Sequence, residues 1–270
     1  MARIEAARAG LGRLDALARR DSPASRLDPR TKVLATFAFV AVVASFGRLD
    51  LLRLAPLALY PLALAALGDV PARPLLVRLA LASPFALGVA AFEPILDRAP
   101  AMALGSVVVS GGALALLTVL AKFLLSLSGA LLLVSTTPFD EVCVALGRLG
   151  LPRALVSQLL LTYRYLFVLA EEAGRLVRAH ALRSPERPRP SAGEGARLVG
   201  NLLVRSIGRA ERIHAAMRCR GFEGTFPVRR STSPGAGDLA FVAATVLLLV
   251  CARRWDLPAL AGRALFGVFG

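Results

Sequence analysis

From Val33 to Gly47 the chain carries no charged residue, and from Leu51 to Leu67 it carries only Arg53. Unbroken apolar runs of this kind predict membrane helices, and the "GRLD" between them predicts the turn of a helical hairpin. Both runs are short for a hydrocarbon core of about 30 Å, which implies tilt or extra flanking turns. A third span is expected from about Leu79 to Leu96, kinked at Pro84 and Pro94. From Ala101 to Pro138 the only charge is Lys122. A straight helix of that length would reach about 55 Å, so it must break. The "SGG" at 110–112 is the cheapest place, leaving a span from about Ala113 to Val134 with Lys122 near its middle. That lysine makes a packing or gating contact, or the helix sits lower than drawn. The last clear span is Leu239 to Ala252, and Leu257 to Phe269 crosses in one reading and not in another, giving five or six spans.

Between Thr137 and Gly237 the pattern changes from continuous to helical, Arg becomes frequent and the breakers are sharp: "GLP" at 150–152, "SPERPRPSAGEG" at 184–195 and "STSPGAG" at 231–237. Three amphipathic helices follow, about Phe139 to Leu149, Arg153 to Arg183 and Ala196 to Arg220. At "TTPFDE" the expected start places Thr137 as cap and Pro138 at the first helical position, with Asp140 and Glu141 favouring the helix dipole. Glu171 is spaced to pair with Arg175 and Arg178. The fold class is therefore all-α: a polytopic membrane protein with a cytoplasmic tail at 1–32, transmembrane helices over 33–137, a cytoplasmic helical module over 138–237 and a C-terminal transmembrane segment over 238–270. The tail holds Arg13, Arg19, Arg20, Arg26, Arg30 and Lys32 without an apolar stretch, unlike a cleavable signal peptide.

Composition agrees with the pattern: 56% of the 270 residues are hydrophobic and mean hydropathy is +0.63. The net charge of +15 fits Arg-rich cytoplasmic loops and a cytoplasmic N-terminus at the cell membrane better than nucleic-acid binding. Cys143, Cys219 and Cys251 have neither disulfide nor zinc spacing. The chain's two lysines, Lys32 and Lys122, follow no glycine-rich phosphate loop, so a P-loop ATPase is excluded. His180 and His214 occur without ligands at metal spacing and read as solvated helix residues. No catalytic, cofactor or metal constellation is found. Few acids lie within the spans, which argues against an ion-driven carrier.

One repetition remains. At an offset of thirty-seven residues, Arg175, Ala179, Arg183 and Ser184 match Arg212, Ala216, Arg220 and Gly221. Arginines in a last turn with Gly or Ser after them are adequate helix stops. Two copies sharing one face also form tips that are small in the middle and cationic at the end, able to enter a partner's grooves and donate bidentate hydrogen bonds. Two tips suggest a partner with two equivalent grooves, most simply a dimer.

Three stretches carry a resemblance: "RLDPRTKVLATFAFVAVVASF" at 26–46, "STTPFDEVCVALGRLGLPRALVSQLLLTYRYLFVLAEEAGRLVRAHALRS" at 135–184 and "RSIGRAERIHAAMRCRGFEG" at 205–224. Together they resemble the transmembrane T component of energy-coupling-factor importers, and most closely its cobalt-type CbiQ branch. The resemblance implies long cytoplasmic coupling helices whose ends dock on two ATP-binding cassette ATPase subunits, while the membrane part holds a substrate-binding subunit of S or M type. Arg183 and Arg220 match the motif arginines. Leu182 and Cys219 stand where Ala is typical, and Ser184 replaces the first Gly. "FEP" at 92–94 resembles a loop motif in which Asn is more usual than Glu93. The implied task is mechanical coupling: no cofactor on this chain, ATP on the partner ATPases, and cobalt, nickel or a vitamin on the substrate subunit. An integral-membrane enzyme and a membrane-anchored nucleic-acid binder are the readings of other classes.

Overall fold

The computed structural model describes residues 15, 17–93, 100–104, 107–184, 190–224, 226 and 235–254. Eight helical runs organise it: α1 (Pro29–Ser45), α2 (Leu51–Leu67, with a 3-10 stretch at Ala55–Ala58), α3 (Ala72–Ala90), α4 (Gly111–Thr136), α5 (Phe139–Arg148), α6 (Arg153–Arg183), α7 (Ala192–Cys219) and α8 (Ala236–Arg254). An antiparallel hairpin, β1 (Pro100–Leu104) and β2 (Val107–Ser110), precedes α4 and was not expected. It occupies the part of the long apolar run before Gly111, so the break falls at the "SGG" but the chain before it is extended.

The chain divides into two compact units, one containing Phe139–Ser231 and the other Leu17–Pro138 with Thr232–Gly270. In the second, Phe39, Val43, Leu57, Tyr60, Leu64 and Leu132 form the centre of an apolar core, with Phe39 stacked on Tyr60. Leu52, Leu62, Leu81, Phe85 and Leu247 are exposed. An apolar exterior around an apolar core is what a bilayer rather than water accommodates. Among the described residues four helices are long and apolar enough to cross a membrane: α3, α4, α6 and α8. The protein is thus a polytopic membrane protein. At seventeen residues each, α1 and α2 are helices where the two short runs were expected to be helical, and neither is among those four. Pro56 lies at the start of the 3-10 stretch in α2, where its missing N–H and ring disfavour regular α-helix.

Several boundaries differ from expectation. α3 begins seven residues early, at Ala72 after Pro71, and takes Arg73 and Arg78 into its first turns, with Pro84 inside it. Pro94 and the segment 257–269 lie outside the described residues. Thr137 does not cap α5: its hydroxyl is buried without a hydrogen bond, and α5 begins at Phe139. The neighbouring hydroxyls of Ser135 and Thr136 bond back to Leu131 and Leu132, so this stretch ends α4 rather than starting α5. Asp140 and Glu141 do lie in the first turn of α5.

Lys122 reaches the carbonyl of Phe46, the residue that closes α1. Arg253, at the end of α8, donates to the Ser45 carbonyl at 3.4 Å and lies over the Phe46 ring. Lys122 therefore makes a packing contact at the level where α1 and α8 end. The eleven residues of α4 before Lys122, from Gly111 to Ala121, continue about 16 Å beyond that level.

Candidate functional site

α5 and α6 are joined by the "GLP" turn. Gly150 takes φ +110, the Leu151 N–H bonds Leu146 O and the Gly150 N–H bonds Gly147 O, a complete Schellman stop. α5 then runs antiparallel along α6, with Phe139 stacked on Tyr163 at 4.5 Å and Gly147 against Val156. A Cβ on Gly147 would come within 2.9 Å of Val156. Cys143 is buried in α5. Burial, and secondarily the charge of Asp140, pushes its thiol up to about 11, so it is an inert core residue.

α7 starts at Ala192, four residues before the expected Ala196. Ser191 and Glu194 form a capping box: the Ser191 N–H donates to Glu194 Oε2 at 2.8 Å, and the Ser191 hydroxyl accepts from the Glu194 N–H. The "SAGE" at 191–194 carries that signal inside a stretch that otherwise reads as a breaker.

Three contacts order α6 against α7. The Ser157 hydroxyl donates to Gly224 O at 2.9 Å, Arg209 Nη2 donates to Glu172 Oε2 at 2.6 Å, and His180 Nε2 stands 3.9 Å from Glu194 Oε2. As numbers rise on one helix they fall on the other, so the pair is antiparallel. Glu172 is buried, and Arg205 flanks it at 3.9 Å. Glu172 and Arg209 are themselves thirty-seven residues apart, equivalent positions of the repeat. The two helices thus pass one another at matched points. Arg183 and Arg220 each stand eleven residues past the clasp residue of their own helix, so each tip lies about 16 Å beyond the clasp, in opposite directions, and the tips are about 33 Å apart.

Arg183 is the last residue of α6, and Ser184 closes it through its N–H to His180 O at 3.0 Å. Arg220 caps α7, and Gly221 at φ +76 completes a Schellman stop in which the Phe222 N–H bonds Met217 O and the Gly221 N–H bonds Arg218 O. Capping geometry is therefore real at the second copy, while the first ends without a left-handed residue. Arg183, Ala216, Arg220 and Gly221 are exposed, Ala179 and Ser184 half-buried. Among the described residues neither the Arg183 nor the Arg220 side chain has a hydrogen bond or ion pair. Two guanidiniums at negative helix ends are thus free to meet carboxylate or carbonyl acceptors.

Glu171 pairs with Arg175 at 3.1 Å, as spacing predicts. His180 departs from the solvated reading, since its Nε2 is buried without a hydrogen bond; His214 is exposed. The antiparallel register sets the two histidines well apart, and among the described residues no group of three His, Cys, Asp or Glu could hold a metal. Glu93 pairs with Arg48 at 3.7 Å. A groove of about 400 Å³ runs between α6 and α7, lined in part by Leu161, Tyr165, Ile213, Met217 and Phe222. The Glu172–Arg209 clasp was missed in the sequence, although extending the repeat three residues upstream sets opposite charges at matched positions.

α6 meets the length and apolarity of a span, yet its second half carries Glu171, Glu172, Arg175, Arg178 and Arg183, and Glu172 is engaged with α7 rather than with lipid. That charged, helix-paired face is characteristic of an amphipathic helix.

A profile described as CbiQ, Cobalt transport protein, matches residues 20–234. The chain is 34% identical over 108 residues to the "Cobalt transport protein CbiQ" of Rhodobacter capsulatus, covering 40% of this chain and 44% of that protein. It is 34% identical over 106 residues to the protein of the same name from Salmonella typhimurium, covering 39% and 47%. Each alignment spans less than half the length of the relative. With the apolar helical unit, the paired amphipathic helices and a match that takes in all but the first nineteen and the final residues, the chain belongs to the CbiQ family of cobalt transport proteins.

Proposed function

We propose that this chain is the transmembrane coupling subunit of an energy-coupling-factor importer for cobalt. In this reading α5, α6 and α7 lie on the cytoplasmic side of the cell membrane, and Arg183 and Arg220, with Ala179, Ser184, Ala216 and Gly221 leaving room beside them, dock on two ATP-binding cassette ATPase subunits. ATP sits on those subunits, the metal on a separate membrane subunit, and this chain performs no catalysis and holds no cofactor.

The observation that carries the reading is the placement of the two tips. An antiparallel pair clasped at repeat-equivalent residues sends two like cationic ends in opposite directions from one pseudo-two-fold point. Only a partner with two similar acidic or carbonyl-lined grooves about 33 Å apart can use both ends at once. When such a partner closes and opens on binding and hydrolysing ATP, the spacing of its grooves changes. The tips convert that change into rotation of α6 and α7 about the clasp.

Affinity purification in mild detergent tests the proposal. Recovery of an ATPase pair together with a small membrane subunit is expected. Recovery of nucleic acid alone, released by salt, would replace it with a nucleic-acid-binding role.

A further inference from the structure

The chain's two lysines both lie on the α1–α4 pair, and each holds the far end of the other helix. Lys32, in the first turn of α1, is 1% exposed, and its Nζ donates to Ala24 O at 3.0 Å and to Thr136 O at 3.1 Å. Thr136 is the last residue of α4. Lys122, on α4, donates to Phe46 O, where α1 closes. Midway, Gly129 of α4 lies against Phe39 of α1, so close that a Cβ would stand 3.2 Å from the ring.

These three pairs share one register. Lys32 with Thr136, Phe39 with Gly129 and Phe46 with Lys122 each sum to 168 and recur every seven residues. The helices therefore form one antiparallel seam, two turns per repeat, close-packed at its centre and ended by a cation at both ends. Each lysine meets the carbonyls at the negative end of the other helix's dipole. In an apolar setting a lysine is costly unless it faces the bundle interior and finds such acceptors. Apolar packing alone would let one helix slide along the other by a turn; two end clamps of opposite direction forbid it. Asp238 of α8 adds a third tie, accepting from the Asp28 N–H at 2.6 Å just before α1.

The position of the Lys32 clamp matters because Thr136 stands three residues before Phe139, the first residue of α5, so the chain joins α5 directly to the end of α4. We infer that Lys32 and Lys122 are positioning residues for transport, which make α1 and α4 a single strut so that a displacement delivered at Thr136 moves both helices instead of unwinding the last turn of α4. The inference rests on the coupling role proposed above.

The test reconstitutes the full complex with its ATPase and substrate subunits in liposomes and reads ATP hydrolysis and radioactive cobalt uptake together. Lys32→Met and Lys122→Met should retain the ATPases and hydrolyse ATP, while uptake per ATP falls about five-fold or more, the low end of a typical coupling term. Lys122→Arg, which keeps the cation, should restore the ratio. Unchanged uptake per ATP in both Met variants would overturn the inference. If they do not accumulate, Lys122→Gln, which removes the cation that reaches the Phe46 carbonyl at a site less buried than Lys32, is read in the same way. The same loss is expected, and an unchanged ratio overturns the inference. Failure of the unaltered chain to recruit ATPases would instead remove the coupling role itself.

Discussion

The Glu172–Arg209 clasp yields the most quantitative expectation. Its side chains are 11% and 33% exposed and 2.6 Å apart, so removing Glu172 would leave Arg209 partly buried without this partner, and removing Arg209 would leave buried Glu172 with only Arg205 at 3.9 Å. Removing one partner of a fully buried pair costs about 3 to 5 kcal/mol; with Arg209 one-third in solvent, about 2 kcal/mol is the appropriate scale, a factor of about thirty. That is enough to let α6 and α7 slide or splay. Spin labels on Leu182→Cys, an exposed site, and on the native exposed Cys219, with Cys143 and Cys251 replaced by Ala, read the separation of the tips directly. The antiparallel register predicts about 30 Å between them, at 1.5 Å per residue. Glu172→Ala or Arg209→Ala should broaden this distribution markedly. Glu172→Leu with Arg209→Leu should be narrower than either single variant, because an apolar pair leaves no orphaned charge. An unchanged distribution in Glu172→Ala, or a separation below about 20 Å in the unaltered protein, would refute the clasped antiparallel geometry.

Gly221→Ala puts a side chain at φ +76 and should cost about 1 to 2 kcal/mol, seen as faster amide hydrogen exchange at Met217 to Phe222 with α6 unaffected. Cys219 should react with maleimide at neutral pH while buried Cys143 stays unlabelled; because burial raises the Cys143 thiol from 9.0 to about 11, the folded state gives up stability as pH climbs through that interval, and Cys143 labelling should appear only there. The protein should stay in the membrane pellet after an alkaline carbonate wash, and cysteines placed at exposed Asp21 and Ser191 should label from the same, cytoplasmic side; labelling from opposite sides would reverse the topology proposed.

What the sequence disclosed follows from which forces are local. Apolar runs and glycines place α1, α4 and α8 within a few residues, because burial of backbone in a bilayer depends on the run itself. Helix α6 emerged with both ends correct, since "GLP" and "SPERP" are strong stops. The start of α7 was misplaced because a capping box lay within a proline-rich stretch and local composition masked it. The strands before Gly111 were hidden, as continuous apolar residues suit strand and helix equally. Lys122 could be placed in α4 but not against Phe46, because register between helices is a property of packing that periodicity does not carry. At the tips the motif was visible from repetition. Their opposed directions became visible only once Glu172 met Arg209 across the hairpin.

The central claim is that Arg183 and Arg220 are docking contacts and not only helix stops. Co-purification of the ATPase subunits, with cobalt uptake in cells, is measured for Arg183→Glu, Arg220→Glu and the double variant, with Arg197→Glu as control. As helix stops, the arginines contribute about 0.3 to 1 kcal/mol each to local stability, and partner recovery would be intact. As buried docking contacts they are each worth about 2 to 5 kcal/mol, a loss of about thirty-fold or more in affinity, with the double variant non-additive because both tips engage one partner. The account predicts loss of the ATPases and of uptake in the double variant and neither loss in Arg197→Glu; normal recovery and normal uptake in the double variant would contradict it.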